Sequence, residues 1–101
     1  MIGAPNPSGG VRAQRIHQAL QELKPTHCEL IDDSARHAGH AGAADVRGET
    51  HFNLKIVSAR FEGLNRVKRH QLVYALLRSE LENGLHALAL TTLTPGEFEK
   101  A

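Results

Sequence analysis

His86 is the side chain of this chain best placed to bind something. It follows Asn83-Gly84-Leu85, a helix stop, and opens the apolar run Ala87-Leu88-Ala89-Leu90. That position holds an imidazole rigidly while leaving it open to solvent, and a rigid neutral imidazole is a good metal ligand. A lone histidine in such a place more often packs against the helix end, so its surroundings have to decide. Seven histidines occur in 101 residues, and two more of interest, His37 and His40, lie in the stretch Ala35 to Glu49. The chain has one cysteine, Cys28, so it forms no internal disulfide and cannot enclose an iron–sulfur cluster alone, which ordinarily takes four mainly thiolate ligands. A second patch of candidate chemistry is basic: Arg66, Lys68, Arg69 and His70 crowd the start of one segment, where phosphate would find cations.

The elements that must position these groups can be read from pattern. Val11, Ile16, Ala19, Leu20 and Leu23 share one face of a helix running to about Lys24, with Arg12, Arg15 and Glu22 elsewhere and Pro25 following. His27 to Ile31 reads as a short strand closed by the turn chemistry of Asp32-Asp33-Ser34. The small, glycine-containing stretch after it lacks periodicity and predicts a flexible loop carrying His37 and His40. From Thr50 to Ser58, Phe52, Leu54 and Ile56 alternate with His51, Asn53 and Lys55, the pattern of a half-buried strand pairing antiparallel with the first. His51 falls on the open side and reads as structural or peripheral. Gly63 precedes a helix from about Asn65 to Glu82, with a short turn before it or within it left open, and His86 to Thr92 reads as a last strand, covered on one side and paired on its edges. Thr94, Pro95 and Glu97 have the spacing of a capping box opening a terminal helix.

Composition bounds the functions available. The length suits a single domain, expected over 11–101 behind a flexible leader at 1–10. No stretch is long and apolar enough to span a bilayer, and the leader lacks the features of a signal or transit peptide, so a cytoplasmic protein without membrane attachment is expected. A net charge of +1 is too small for an obligate nucleic-acid binder, and only 4% of residues are aromatic. No nucleophile–base pair, phosphate-cradling glycine loop or strong zinc motif supports an enzyme.

The linked motifs FEGLNRVKRHQLVY from Phe61, HALAL from His86 and Thr94-Pro95, with ETHFNLKIVSARF upstream, resemble the BolA family over about Arg12 to Glu97. The resemblance implies an α+β fold of αββααβ order, a class II KH-like sandwich with a three-stranded mixed sheet and helices packed on one face. The extra helix would be a short one around Gly63 to Val67. It also implies a heterocomplex with a monothiol (CGFS-type) glutaredoxin sharing a 2Fe-2S cluster, the partner and glutathione supplying thiolates. His86 matches the family's strand-opening ligand, and His37 best matches the loop ligand, with His40 as substitute. Imidazole in place of thiolate would raise the cluster's potential. Alone, the chain is expected as a monomer or weak homodimer. Some BolA-like proteins regulate transcription by binding DNA, for which Arg66, Lys68 and Arg69 are the candidates. Against that reading, Gly63-Leu64-Asn65-Arg66 has only one of the two glycines of a KH GXXG loop.

Overall fold

The computed structural model describes residues 10–33 and 50–100. The leader up to residue 9 and the loop with His37 and His40 lie outside the described residues. Helix α1 spans Val11–Leu20, and one tighter turn, Gln21–Leu23, completes it before Lys24 adopts a left-handed conformation ahead of Pro25. The single helix expected to Lys24 therefore ends in a 3₁₀ turn, a common way to satisfy the last carbonyls. Ala13, Ile16, Leu20 and Leu23 are buried, whereas Val11 is exposed despite its place in the apolar pattern.

Strand β1, His27–Asp32, runs antiparallel to β2, His51–Val57, with Leu30 opposite Leu54. Strand β3, Ala87–Leu93, lies parallel to β2 with Ala87 opposite His51, giving the order β1-β2-β3. The expected mixed three-stranded sheet is present. Among the described residues, however, β3 is an edge strand and not one paired on both sides. Residues of a parallel strand point their N–H and C=O groups alternately to either side. On the outer side, the Tyr74 hydroxyl donates to the Leu88 carbonyl and the Arg69 guanidinium to that of Thr92.

The connection from β2 to β3 contains α2, Arg66–Leu76, and α3, Arg78–Glu82, separated at Leu77. The order is thus αββααβ, followed by α4, Pro95–Lys100. The short helix lies after the long one and not around Gly63 to Val67. Gly63 and Leu64 are non-helical, and before them Ala59–Phe61 forms a 3₁₀ turn capped by Ser58. The Asn65 side chain accepts from the Lys68 amide at 2.9 Å, which sets the start of α2. Thr94 and Glu97 form the expected reciprocal box at α4: the Glu97 amide donates to Thr94 Oγ1 and the Thr94 amide to Glu97 Oε1.

Ile16 and Leu20 of α1, Phe52, Leu54 and Ile56 of β2, Phe61, Val73 of α2, Leu77 and Leu88 of β3 form one core between sheet and helices. Full burial of such side chains is worth about 1.5–3 kcal/mol each, against about 0–1 kcal/mol for an exposed ion pair. The helix-on-sheet layer therefore dominates stability and fixes the end of the sheet where His86 sits.

Candidate functional site

His86 is exposed and stands one residue ahead of β3. Its backbone amide donates to the Thr50 carbonyl at 2.8 Å, and the Ala87 amide donates to the same oxygen at 3.1 Å. The histidine is thus fastened to the head of β2. Behind it, Leu85 is buried and its amide bonds to the Glu80 carbonyl at 3.0 Å, closing the turn after α3. Gly84 makes that turn possible: its φ is +117°, and a Cβ there would meet Arg12 Nη2 at 2.8 Å.

Arg12 joins this turn to α1. Its Nη2 donates to the Asn83 carbonyl at 2.6 Å and its Nε to Glu80 Oε1 at 3.0 Å. Arg15 completes the grip, with Nε to Glu80 Oε2 at 2.6 Å and Nη2 to Oε1 at 3.0 Å. The Glu80 side chain is only 9% exposed. Its carboxyl is held below the ordinary carboxylate range, first by the Arg15 hydrogen bonds, against the opposing effect of burial. Neither the two arginines nor Glu80 were legible as site residues. The sequence places Arg12 and Arg15 only off the apolar face of the first helix, and a pair 68 residues apart needs the fold to bring it together.

His51 is the other residue that sequence reasoning set aside. It is half-buried, and its ring centroid lies 6.1 Å from that of His86, the planes inclined at 50°. Its Nδ1 is 2.9 Å from Thr50 Oγ1. Alternation correctly put it on the side of β2 opposite Phe52, but only the parallel register with β3 reveals its neighbour. Of the proposed metal ligands, His86 is therefore placed, while His37 and His40 lie outside the described residues. No group of three or more His, Cys, Asp or Glu that could hold a metal occurs among the described residues.

Cys28 is partly buried on β1, and burial, followed by the nearby Glu29 charge, raises its thiol to about 11. It is therefore a poor thiolate donor near neutral pH. His17, whose Nδ1 lies 3.9 Å from Cys28 Sγ, has its own pKa lowered by burial. His27 stacks on Phe98 at 4.8 Å and pairs with Glu29, which helps to seat α4.

The basic patch divides. Arg69 is 13% exposed and donates to the carbonyls of Leu64 and Thr92 and to both carboxylate oxygens of Glu97. It also lies over the Phe61 ring. Arg69 therefore braces α2, β3 and α4 together, while Arg66 and Lys68 stay exposed at the start of α2.

A small α+β domain with a helix-covered mixed sheet, and an exposed histidine at the head of its third strand, defines the class. More specifically, the chain belongs to the BolA family: the family model for BolA-like protein matches residues 19–97. The chain is similar to the protein named BOLA1, chloroplastic, of Arabidopsis thaliana, at 56% identity over 85% of this chain and 55% of that protein. It is 47% identical to the UV-induced protein uvi31 of Schizosaccharomyces pombe, over 85% of this chain and 88% of the relative. Among solved structures, the BolA domain of SufE1 from Arabidopsis thaliana superposes with a TM-score of 0.76 at 49% identity, covering 87% of this chain and 96% of that one. The chain thus spans about half the length of the Arabidopsis BOLA1 protein, and a quarter of the SufE-like protein 1 to which it is 52% identical. No helix among the described residues is long and apolar enough to cross a membrane.

Proposed function

We propose that this BolA-family chain is an adaptor that forms a heterocomplex with a monothiol glutaredoxin and co-ligates a 2Fe-2S cluster, for cluster trafficking or for iron and redox sensing. The observation that carries the reading is His86, an exposed imidazole whose backbone is clamped to Thr50 at 2.8 Å and whose turn is held by Arg12 and Glu80. The donor set fits a shared cluster: the one thiol is held protonated, so the chain offers nitrogen and a partner must bring thiolate. His86 supplies one nitrogen at a fixed place, and His37, or His40 in its stead, is the proposed second ligand. When bound, the cluster supplies one-electron redox chemistry and a transferable iron–sulfur unit. The chain's own part is to present the imidazole without reorganisation. A cytoplasmic setting belongs to the same proposal, although the chloroplast location in the name of one relative makes it worth checking by cell fractionation.

Reconstitution with a monothiol glutaredoxin, iron, sulfide and glutathione tests this, read by visible circular dichroism. The wild-type spectrum should differ from that of the glutaredoxin homodimer, and His86→Ala should abolish the difference. His37→Ala and His40→Ala then rank the two loop residues. A spectrum that never departs from the homodimer's would sink the reading.

A second reading, a DNA-binding regulator, draws on the exposed Arg66 and Lys68. It predicts that Arg66→Ala and Lys68→Ala weaken DNA binding and flatten its salt dependence.

A further inference from the structure

We propose that Asn83, in the turn ahead of His86, is a site of spontaneous deamidation that the Arg12 clasp keeps closed, and that its isoaspartyl product unseats the histidine.

The chain has four asparagines, and Asn83 alone is followed by glycine. Asn6 precedes a proline, which has no N–H, Asn53 precedes Leu54 inside β2, and Asn65 uses its side chain to cap the Lys68 amide. Glycine leaves the attacking backbone nitrogen least shielded, because it has no Cβ. The fold needs it here: φ is +117°, and a Cβ would meet Arg12 Nη2 at 2.8 Å. Both residues are exposed, and the Gly84 amide has no hydrogen-bond partner among the described residues. The turn that presents His86 therefore carries a reactive dipeptide by construction.

The reaction needs only water and a solvent base. The Gly84 nitrogen gives up its proton and attacks Asn83 Cγ. The new N–C bond closes a five-membered succinimide, the Cγ–Nδ2 bond breaks, and Nδ2 leaves with a proton as ammonia. Water then opens the ring. Addition at Cγ gives aspartate, and addition at the backbone carbonyl carbon gives isoaspartate, whose main chain runs through Cβ and Cγ.

Three contacts hold Asn83 back from ring closure. Its Nδ2 donates to the Ser79 carbonyl at 2.6 Å, its backbone amide donates to the Glu80 carbonyl at 3.1 Å, and its own carbonyl accepts from Arg12 Nη2 at 2.6 Å. Closure swings both the side chain and the Asn83–Gly84 peptide, so the Ser79 and Arg12 bonds have to open first. The folded chain then reacts at the intrinsic rate multiplied by the small fraction in which this turn is open. Arg12 is itself held by Glu80, so the ion pair between α1 and α3 sets that fraction. Isoaspartate lengthens the main chain by one methylene, and its carboxylate competes with Glu80 for Arg12. Leu85 and His86, whose amides bond to the Glu80 and Thr50 carbonyls, lie directly downstream and shift with it. Aspartate keeps the backbone length and leaves them in place.

The test ages the full chain in warm, mildly alkaline buffer with and without urea, and follows Asn83 by peptide mass spectrometry, with circular dichroism confirming the fold of each variant. Conversion should be at least about tenfold slower in folded wild type than in urea, and Arg12→Lys should speed the folded chain at least about fivefold. Glu80→Gln should act in the same direction. The isoaspartyl chain, separated by ion exchange, should show displaced His86 ring resonances, whereas Asn83→Asp should keep them near their wild-type positions. No conversion at Asn83 even in urea, equal rates with and without urea, an unchanged rate in folded Arg12→Lys and Glu80→Gln, or an isoaspartyl chain whose His86 resonances match wild type would each overturn the proposal. Every measurement is made without glutaredoxin, iron or sulfide, so these outcomes leave the cluster reading standing, and failed cluster reconstitution leaves the deamidation rates untouched.

Discussion

The two ends of β3 are fastened by the same device at different depths. At its head, Arg12 grips Glu80 and the Asn83 carbonyl; at its tail, Arg69 grips Glu97 and the Thr92 carbonyl. In each case one guanidinium ties a carboxylate to a backbone oxygen, a task its planar fork of donors suits. The carboxylates differ, however, with Glu80 at 9% exposure and Glu97 at 47%. Glu80 also has a second arginine, whereas Glu97 leans on the backbone amide of its own capping box. Burial decides the weight of each: removing a buried partner strands a charge, while water replaces an exposed one. The deep clasp lies beside His86 and the shallow one seats the terminal helix, so the stronger fastening is at the end where a ligand must not move.

Glu80→Ala should separate the two ends most. It leaves Arg12 poorly hydrated, and the loss should be about 3 kcal/mol, the low end for a broken buried pair because Arg15 is half exposed and can rehydrate. Urea unfolding would measure it, and a loss under about 1 kcal/mol would erase the distinction. Gly84→Ala should cost about 2 kcal/mol, since it strains a left-handed backbone and pushes on Arg12. It should also move the His86 ring resonances. Arg12→Lys keeps a charge near Glu80 but cannot also hold the Asn83 carbonyl. A loss of about 1 kcal/mol is expected, again with His86 shifted.

Glu97→Gln should have the smallest effect and leave His86 unmoved. It also sharpens the comparison through pH. The Arg69 hydrogen bond, then the Thr94 amide, holds the Glu97 carboxyl down to about 2, below its ordinary 4.5. A lowered carboxyl pKa stabilises the fold above the unfolded value, and that contribution fades as pH falls toward the folded one. Wild type should therefore lose its margin over Glu97→Gln between about pH 4.5 and 2, as read from unfolding midpoints. Added salt should narrow the same margin at neutral pH while affecting the buried Glu80 clasp less.

Local chemistry explains why parts of this were legible in the chain. The alternation around Phe52 and Leu54, the Asn-Gly stop and the Thr94–Glu97 spacing each depend on residues within one element, and each took the expected form. Long-range placement was not legible. The His51–His86 approach requires the parallel register of β2 and β3, and the clasp on Glu80 requires the fold to bring α1 within hydrogen-bond reach of α3. Arg69 read as part of a phosphate-seeking cluster because charge shows in sequence while the carbonyls that capture it do not. An interruption of this helix was open from the sequence, but its place at Leu77 was not, since a fully buried leucine fits a continuous helix as well as an interrupted one.

The shared-cluster role is tested most directly by labelling this chain alone with ¹⁵N-histidine, assembling the cluster complex with unlabelled monothiol glutaredoxin, and recording pulsed electron paramagnetic resonance after one-electron reduction. A ¹⁵N coupling of a directly bound imidazole, lost from His86→Ala, is the predicted result. A reduced cluster with no coupling to nitrogen from this chain would contradict it.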